Sequence, residues 1–221
     1  MRRKYVIPLL LFFSAVRGSF ANAQDDHSRA TIQSGNKKIA SQFAAPITTA
    51  LSHYPELKNT RIIWRIKPAY TPLLTRPTFF SFLKLGDKRT YIITISDHTI
   101  DTLQHLLYSH LTYDEQAGIM GHELGHVLDF RNKNFLQSAR TAFGHFSKDY
   151  IDRMEYHTDM ICIQHGLGPQ LEKYSTYVRT HMHVHDWRGV DHIFNNDEKH
   201  ERYMNPETIE KIINAHNSNH H

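Results

Sequence analysis

The stretch AGIMGHELGHVLDF, from Ala117 to Phe130, determines the fold expected for this chain. It contains HELGH, in which His122 and His126 are four residues apart and Glu123 follows the first histidine. On a helix, residues four apart lie one turn apart on the same face, so both imidazoles can reach one ion. The glutamate between them would lie beside a zinc-bound water and act as its general base. Because the chain contains 18 histidines, an accidental match has a chance of about 6%.

The sequence around the motif favours a helix that serves a purpose beyond core packing. Thr112 and Glu115 form a T-x-x-E capping box at its predicted start. Gly118, Gly121 and Gly125 share one stripe, and each costs about 0.5–1 kcal/mol of helix stability relative to alanine. Such a stripe predicts that another backbone approaches this helix closely.

A third ligand is expected on a later helix, because the histidine that would extend the motif in metzincins is absent after His126. Glu155 and Asp159 are spaced i, i+4 and would share one helix face. The sequence leaves Asp159 itself, His157 or His165 as alternative ligands. A solvated helix face whose acidic groups form ion pairs is the non-functional alternative.

HELGH followed by E-x-x-x-D on a later helix resembles the gluzincin metallopeptidases of the HtpX type. The resemblance covers about residues 112–168 and implies that Glu155 is the third zinc ligand. It also implies that Asp159 orients a ligating histidine. The chain departs from the family by having Thr158 where alanine is usual, by a short spacing between the motifs, and by lacking the family's transmembrane helices.

The first 23 residues are typical of a signal peptide. Arg2–Lys4 is basic, Tyr5–Phe13 is apolar, and Ala21-Asn22-Ala23 is a cleavage signal. The prediction is therefore an exported protein, periplasmic or secreted, with one domain over residues 24–221 and no membrane span after cleavage. Four of the 26 basic residues lie in the first 23, so the remainder has 22 basic and 22 acidic residues, which argues against nucleic-acid binding. The single cysteine, Cys162, excludes an internal disulfide.

The element pattern predicts an α+β, zincin-like fold in which a small antiparallel sheet precedes packed helices. Strands are expected at RIIWRIK (Arg61–Lys67) and TYIITIS (Thr90–Ser96), with a further short strand at PTFFSF. The polar stretch 24–45 is expected to be flexible at first, and the proline-rich stretch from Pro68 to Pro77 to be irregular. Helices are expected at about 38–52, 99–109, 112–131, 135–146, 147–165, 169–180 and 206–214.

Three further features have open interpretations. The strand TYIITIS is either an edge strand that pairs with an extended substrate, as the resemblance suggests, or an interior strand. The alternating histidines of HMHVHDW either line a strand and bind a second metal or lie in a polar loop. Candidates for stabilising an oxyanion are His181, His183, His185, Tyr174, Tyr177 and Tyr203.

Together these features predict an exported zinc metalloendopeptidase that acts on a peptide or protein substrate. His122, His126 and Glu155 would hold Zn²⁺, Glu123 would be the base, and Asp159 would orient a ligand. The alternatives are a non-catalytic zinc-binding exported protein and a peptidase of peptidoglycan cross-links.

Overall fold

The computed structural model describes residues 31–78, 81, 84, 88–133, 148–189 and 201–218. This part of the chain is α+β, as predicted. Its elements are β1 (Thr31–Ser34), β2 (Lys37–Ala40), α1 (Ala44–Ser52), β3 (Arg61–Ile66), β4 (Leu73–Pro77), β5 (Thr90–Ile95), α2 (Tyr113–Asn132), α3 (Lys148–Cys162), α4 (Gly168–Met182) and α5 (Pro206–Ser218). The predicted signal peptide and the predicted helix at 135–146 lie outside the described residues.

The sheet is mixed, so the expectation of an antiparallel sheet is wrong. Its strand order is β1-β2-β3-β5-β4. Strands β2, β3 and β5 are parallel, whereas β1 and β4 run antiparallel to their neighbours. The parallel pairs arise because α1 separates β2 from β3 and because β4 lies between β3 and β5 in the chain. Strand β3 therefore runs in the direction of β2, and β5 runs in the direction of β3.

Strand β5 is interior, so its proposed role as the substrate-pairing edge is wrong. It pairs with β3 on one side and with β4 on the other, and Tyr91–Ile95 is buried throughout. The edge on this side is β4, which forms in the stretch expected to be irregular. The other edge is β1, which pairs with β2 across Gly35 and Asn36 in the stretch expected to be flexible. Of the further strand expected at PTFFSF, Pro77 ends β4, and most of the remainder lies outside the described residues.

Helix α2 lies at the centre of the helical layer, and its residues from Ala117 to Leu128 are all buried. The predicted capping box is present, and the Glu115 carboxylate accepts a hydrogen bond from the Thr112 backbone N–H at 2.7 Å. On its sheet side, Met120 packs in the main core, where its sulfur lies 3.3 Å from the indole nitrogen of Trp64.

The close backbone approach predicted from the glycine stripe is confirmed. A Cβ at Gly118 would lie 2.3 Å from the backbone oxygen of Gln170 in α4. One at Gly125 would lie 3.2 Å from the backbone oxygen of Thr158 in α3. The glycines therefore let two helices approach α2 closely.

The helix predictions at 38–52, 147–165, 169–180 and 206–214 are confirmed with changed bounds, and the first begins only at Ala44 because residues 38–40 belong to β2. The segment expected at 99–109 forms two 3₁₀ segments, Asp101–Leu106 and Tyr108–His110, instead of one α helix. Helices α3, α4 and α5 correspond to the predictions at 147–165, 169–180 and 206–214, and a π-helical turn, Ile163–Leu167, joins α3 to α4. None of the described helices combines the length and the apolar character that crossing a membrane requires.

Candidate metal centre

Three predicted ligand residues lie together between α2 and α3. The Nε2 atoms of His122 and His126 lie 3.2 and 3.1 Å from the same oxygen, Oε2 of Glu155. All three side chains are buried. Within the described parts of the chain, this is the one group of three or more such residues close enough to hold a metal ion. Because α2 presents its histidines one turn apart, a single carboxylate from α3 reaches both.

Asp159 fixes the orientation of His122. The Nδ1–H of His122 donates to Oδ1 of Asp159 at 2.7 Å, and the backbone N–H of Met204 donates to Oδ2 at 2.8 Å. Since a carboxylate only accepts, Nδ1 of His122 carries a proton, and in the neutral imidazole the lone pair for a metal is on Nε2. This is the orienting contact that the sequence resemblance implied for Asp159.

The electrostatics of the group favour a bound cation. Burial opposes protonation of His122, but the hydrogen bond and charge of Asp159, with those of Glu155, outweigh burial and raise the pKa of His122 well above its usual value. Burial likewise opposes ionisation of Glu155, but the charge of His126 and the hydrogen bonds from both imidazoles hold the pKa of Glu155 below its usual range. The negative charges of Asp159 and Glu155 therefore stabilise positive charge at this point.

The residues fit a divalent metal by two criteria. Two imidazole nitrogens and a carboxylate oxygen are a donor set that catalytic zinc sites use. In addition, Oε2 of Glu123 is buried without a hydrogen-bond partner in the described part of the chain. A buried carboxylate oxygen without a hydrogen-bond partner lowers the stability of the fold. A water bound to the metal would donate a hydrogen bond to this oxygen.

Glu123 and His122 line a cavity of about 130 Å³. Its opposite walls come from the start of β4 and from α4, and its apolar side is formed by Leu103, Leu106, Val178 and Trp187. The ring of Tyr203 lines the same cavity, with its centroid 5.8 Å from that of His122. The cavity therefore places an apolar wall and a phenol beside the candidate metal centre.

Of the side chains predicted to stabilise an oxyanion, Tyr174 and Tyr203 line this cavity. Burial, with the charge of Glu123 for Tyr174 and that of Glu155 for Tyr203, raises the pKa of both phenols. Each therefore keeps its O–H as a donor. Tyr177 does not line the cavity, and its hydroxyl donates to the backbone oxygen of His105 at 2.9 Å.

Buried polar contacts hold the segment that carries Tyr203. Arg202 donates to Asp152 of α3 at 2.7 Å, and the backbone oxygen of Tyr203 accepts from Arg179 at 3.0 Å. The backbone oxygen of Met204 accepts from Ser175 of α4 at 2.8 Å. The sequence analysis named Tyr203 as one of six oxyanion candidates but could not place this segment beside HELGH, because no local pattern connects the two.

The alternative third ligands do not join the group. His157 is exposed. The Nδ1 of His165 donates to the backbone oxygen of Ile161 at 2.8 Å, and its ring stacks on Tyr54 at 4.2 Å. Glu155 is thus the residue in contact with both imidazoles of HELGH.

The alternating histidines do not form a strand, so the idea of a second metal on one strand face is wrong. His181 lies in the last turn of α4 and donates from Nδ1 to the backbone oxygen of Tyr177 at 2.8 Å. His183 caps the helix with a positive φ of 55°, and exposed His185 contacts Asp186. The helix continues through the first of these histidines, so their side chains do not share a face.

The chain was compared with protein-family models, with curated proteins and with solved structures, and none of them matched. The likeness to gluzincins therefore rests on the HELGH and E-x-x-x-D motifs and on the geometry of the residues in them.

Proposed function

We propose that this chain is a zinc-dependent metallopeptidase of the gluzincin type. His122, His126 and Glu155 hold the metal, and Glu123 is the general base. The observation that carries the proposal is the convergence of both Nε2 atoms on one oxygen of Glu155, 3.2 and 3.1 Å away. The unpaired oxygen of Glu123 beside this group supports it, because a purely structural site needs no base.

The chemistry that bound zinc supplies is Lewis acidity, which polarises a carbonyl and lowers the pKa of a coordinated water. Glu123 accepts the proton of the attacking water and passes it to the leaving amine. Asp159 holds His122 with Nε2 toward the metal. The O–H of Tyr203 or Tyr174 donates to the oxygen on which negative charge develops.

An extended peptide would pair with β4, which takes over the role first expected of β5. Strand β4 is the sheet edge on this side, and its first residue, Leu73, lines the cavity with Glu123. Main-chain hydrogen bonds along a free edge would hold a substrate backbone largely irrespective of its sequence. Export of the protein remains a prediction from residues 1–23.

The test compares zinc content and peptide hydrolysis for the chain from residue 24, for Glu123→Gln and for Glu155→Ala. We expect about one zinc per chain in the wild type, retention of zinc in Glu123→Gln, and marked loss in Glu155→Ala. Cleavage of a broad peptide library should fall by about a thousandfold or more in Glu123→Gln, because that variant lacks the base.

Three other results would contradict the mechanism or favour one of the alternative functions. Equal cleavage by the wild type and Glu123→Gln contradicts the mechanism. One zinc per wild-type chain without cleavage of any peptide favours a non-catalytic zinc-binding protein. Release of peptides from purified peptidoglycan, with no cleavage of the library, identifies cell-wall cross-links as the substrate.

A further inference from the structure

Thr158 occupies a position beside the metal centre at which the gluzincins it resembles usually have alanine. It is fully buried on α3, between the ligand Glu155 and the orienting residue Asp159. Its hydroxyl oxygen lies 3.2 Å from Nδ1 of His126 and 2.9 Å from the backbone oxygen of Met154. The hydroxyl therefore contacts the nitrogen of His126 that faces away from the metal centre.

The direction of these hydrogen bonds follows from counting protons. A threonine hydroxyl carries one hydrogen, and the backbone oxygen of Met154 can only accept. The hydroxyl donates to Met154, so its lone pair accepts from the Nδ1–H of His126. In the neutral imidazole that binds a metal, this assignment leaves the lone pair on Nε2, the nitrogen that lies 3.1 Å from Oε2 of Glu155. The reverse assignment would place the proton on Nε2, where it would block metal binding.

Gly125 fixes the side-chain orientation that this contact requires. The methyl group of Thr158 would lie 3.0 Å from a Cβ at Gly125, so it packs into the space that the missing side chain leaves. Threonine is stiff at χ1, and a fixed methyl group therefore also fixes the hydroxyl. Gly125, the glycine inside HELGH, therefore fixes the direction of the Thr158 hydroxyl. That hydroxyl contacts His126, the residue that follows Gly125 in the motif.

We propose that Thr158 is a positioning residue whose hydroxyl holds His126 in the tautomer that presents Nε2 to the metal. Thr158 orients His126 through a neutral hydroxyl acceptor, whereas Asp159 orients His122 through a charged carboxylate. The inference rests on the proposed metal site and not on peptidase activity, so it can be tested on zinc binding alone.

The test compares Thr158→Val, which keeps the shape and removes the acceptor, with Thr158→Ser, which keeps the acceptor. We expect Thr158→Val to raise the zinc Kd about tenfold or more, measured by competition with a chelator. Thr158→Ser should stay within about threefold of the wild type, because its hydroxyl can still accept from Nδ1. Thr176→Val, on an exposed position of α4, is the matched control and should leave the Kd unchanged.

A spectroscopic measurement separates positioning from packing. In the Co²⁺-loaded wild type, each ligating imidazole with a protected Nδ1–H should give one strongly shifted, exchangeable proton signal in NMR. The signal of His126 should disappear or exchange rapidly in Thr158→Val and persist in Thr158→Ser. If Thr158→Val does not fold, Thr158→Ala, which only removes atoms, replaces it with the same expectation.

The proposal is overturned if Thr158→Val binds zinc as tightly as Thr176→Val, or if the valine and serine variants lose affinity equally. A wild type that binds zinc but cleaves no peptide would overturn the proposed peptidase and leave this test intact. A wild type that does not bind zinc would overturn both.

Discussion

At the residue scale, Asp159 connects the candidate metal centre to the segment that carries Tyr203. One carboxylate oxygen accepts from His122, and the other accepts from the backbone N–H of Met204. Both bonds are buried, so neither can be replaced by bulk water at low cost. The orientation of His122 and the position of the neighbouring phenol thus depend on the same side chain.

We therefore expect Asp159→Asn to weaken zinc binding by about 10- to 100-fold. An asparagine offers one acceptor oxygen and one NH₂ group, so either His122 or Met204 then faces a donor instead of an acceptor. Chelator competition measures the change. Asp129→Asn is the control, since Asp129 pairs with Lys133 outside the centre. Equal affinities of the two variants would contradict the role of Asp159.

The residues that could be predicted from sequence are those whose relative positions a helix fixes. His122 and His126 are one turn apart, as are Glu155 and Asp159, and their spacing follows from helix geometry alone. Selecting Glu155 over His157 required knowledge of which face of α3 meets α2. Tyr203 could not be selected from sequence, because its approach to His122 depends on long-range packing.

At the element scale, the contact of α2 with α4 depends on Gly118. We expect Gly118→Ala to lower the free energy of unfolding by about 2 kcal/mol or more. The intrinsic gain of alanine in a helix, about 1 kcal/mol, does not compensate for a Cβ placed 2.3 Å from a backbone oxygen. Denaturant unfolding measures the change.

Gly121→Ala is the comparison for this prediction. A Cβ there meets the ends of the Leu167 and Cys162 side chains, 2.5 and 2.8 Å away, which can move more easily than backbone. The loss should be smaller than for Gly118→Ala. A Gly118→Ala variant as stable as the wild type would show that α2 and α4 can separate without cost.

Asp152 couples α3 to two arginines, and this coupling makes part of the stability depend on pH. Burial opposes its ionisation, but Arg202 and Arg188 outweigh burial and lower the pKa of Asp152. The stabilisation is therefore complete above the unfolded-state pKa, near 4, and is lost as the pH falls through the lower folded-state value.

Asp152→Asn should lower the free energy of unfolding by about 3 kcal/mol at pH 7, because it removes the buried carboxylate charge that contacts both arginines. The difference between the wild type and the variant should stay constant from pH 7 to about 5 and shrink below about 4. Denaturant titrations across this range measure it. A difference that does not change at low pH would rule out Asp152 as the titrating group.

The helices and the strands β3 and β5 were predictable from local signals, whereas the order and direction of the strands in the sheet were not. The capping box marked the start of α2, and Pro206 marked the start of α5. Strand order depends on pairing between distant segments, so the interior position of β5 could not be predicted from its own sequence. The β1–β2 hairpin did carry a Gly35-Asn36 turn signal, but its polar composition favoured a flexible segment.

At the scale of the whole molecule, zinc bound at the proposed site should stabilise the fold, because the proposed ligands come from two helices. A ligand that binds only the native state adds RT ln(1 + [L]/Kd), which is about 2.7 kcal/mol at 100 times Kd. We expect the wild type to unfold at higher denaturant with zinc than with a chelator. Glu155→Ala should show little difference between the two conditions. A wild type that is indifferent to zinc would contradict a site spanning α2 and α3.

The burial of the three ligand side chains also has a kinetic consequence. His122, His126 and Glu155 are only 3, 7 and 9% exposed, so a chelator would approach a metal held between them only through the cavity that His122 and Glu123 line. Release of such a metal would also require its buried ligands to move apart, and local opening between α2 and α3 would then limit the rate of its exchange. Residence time and equilibrium affinity therefore become separate properties of this protein: a variant that loosens the helix contact can exchange metal quickly and still bind it tightly.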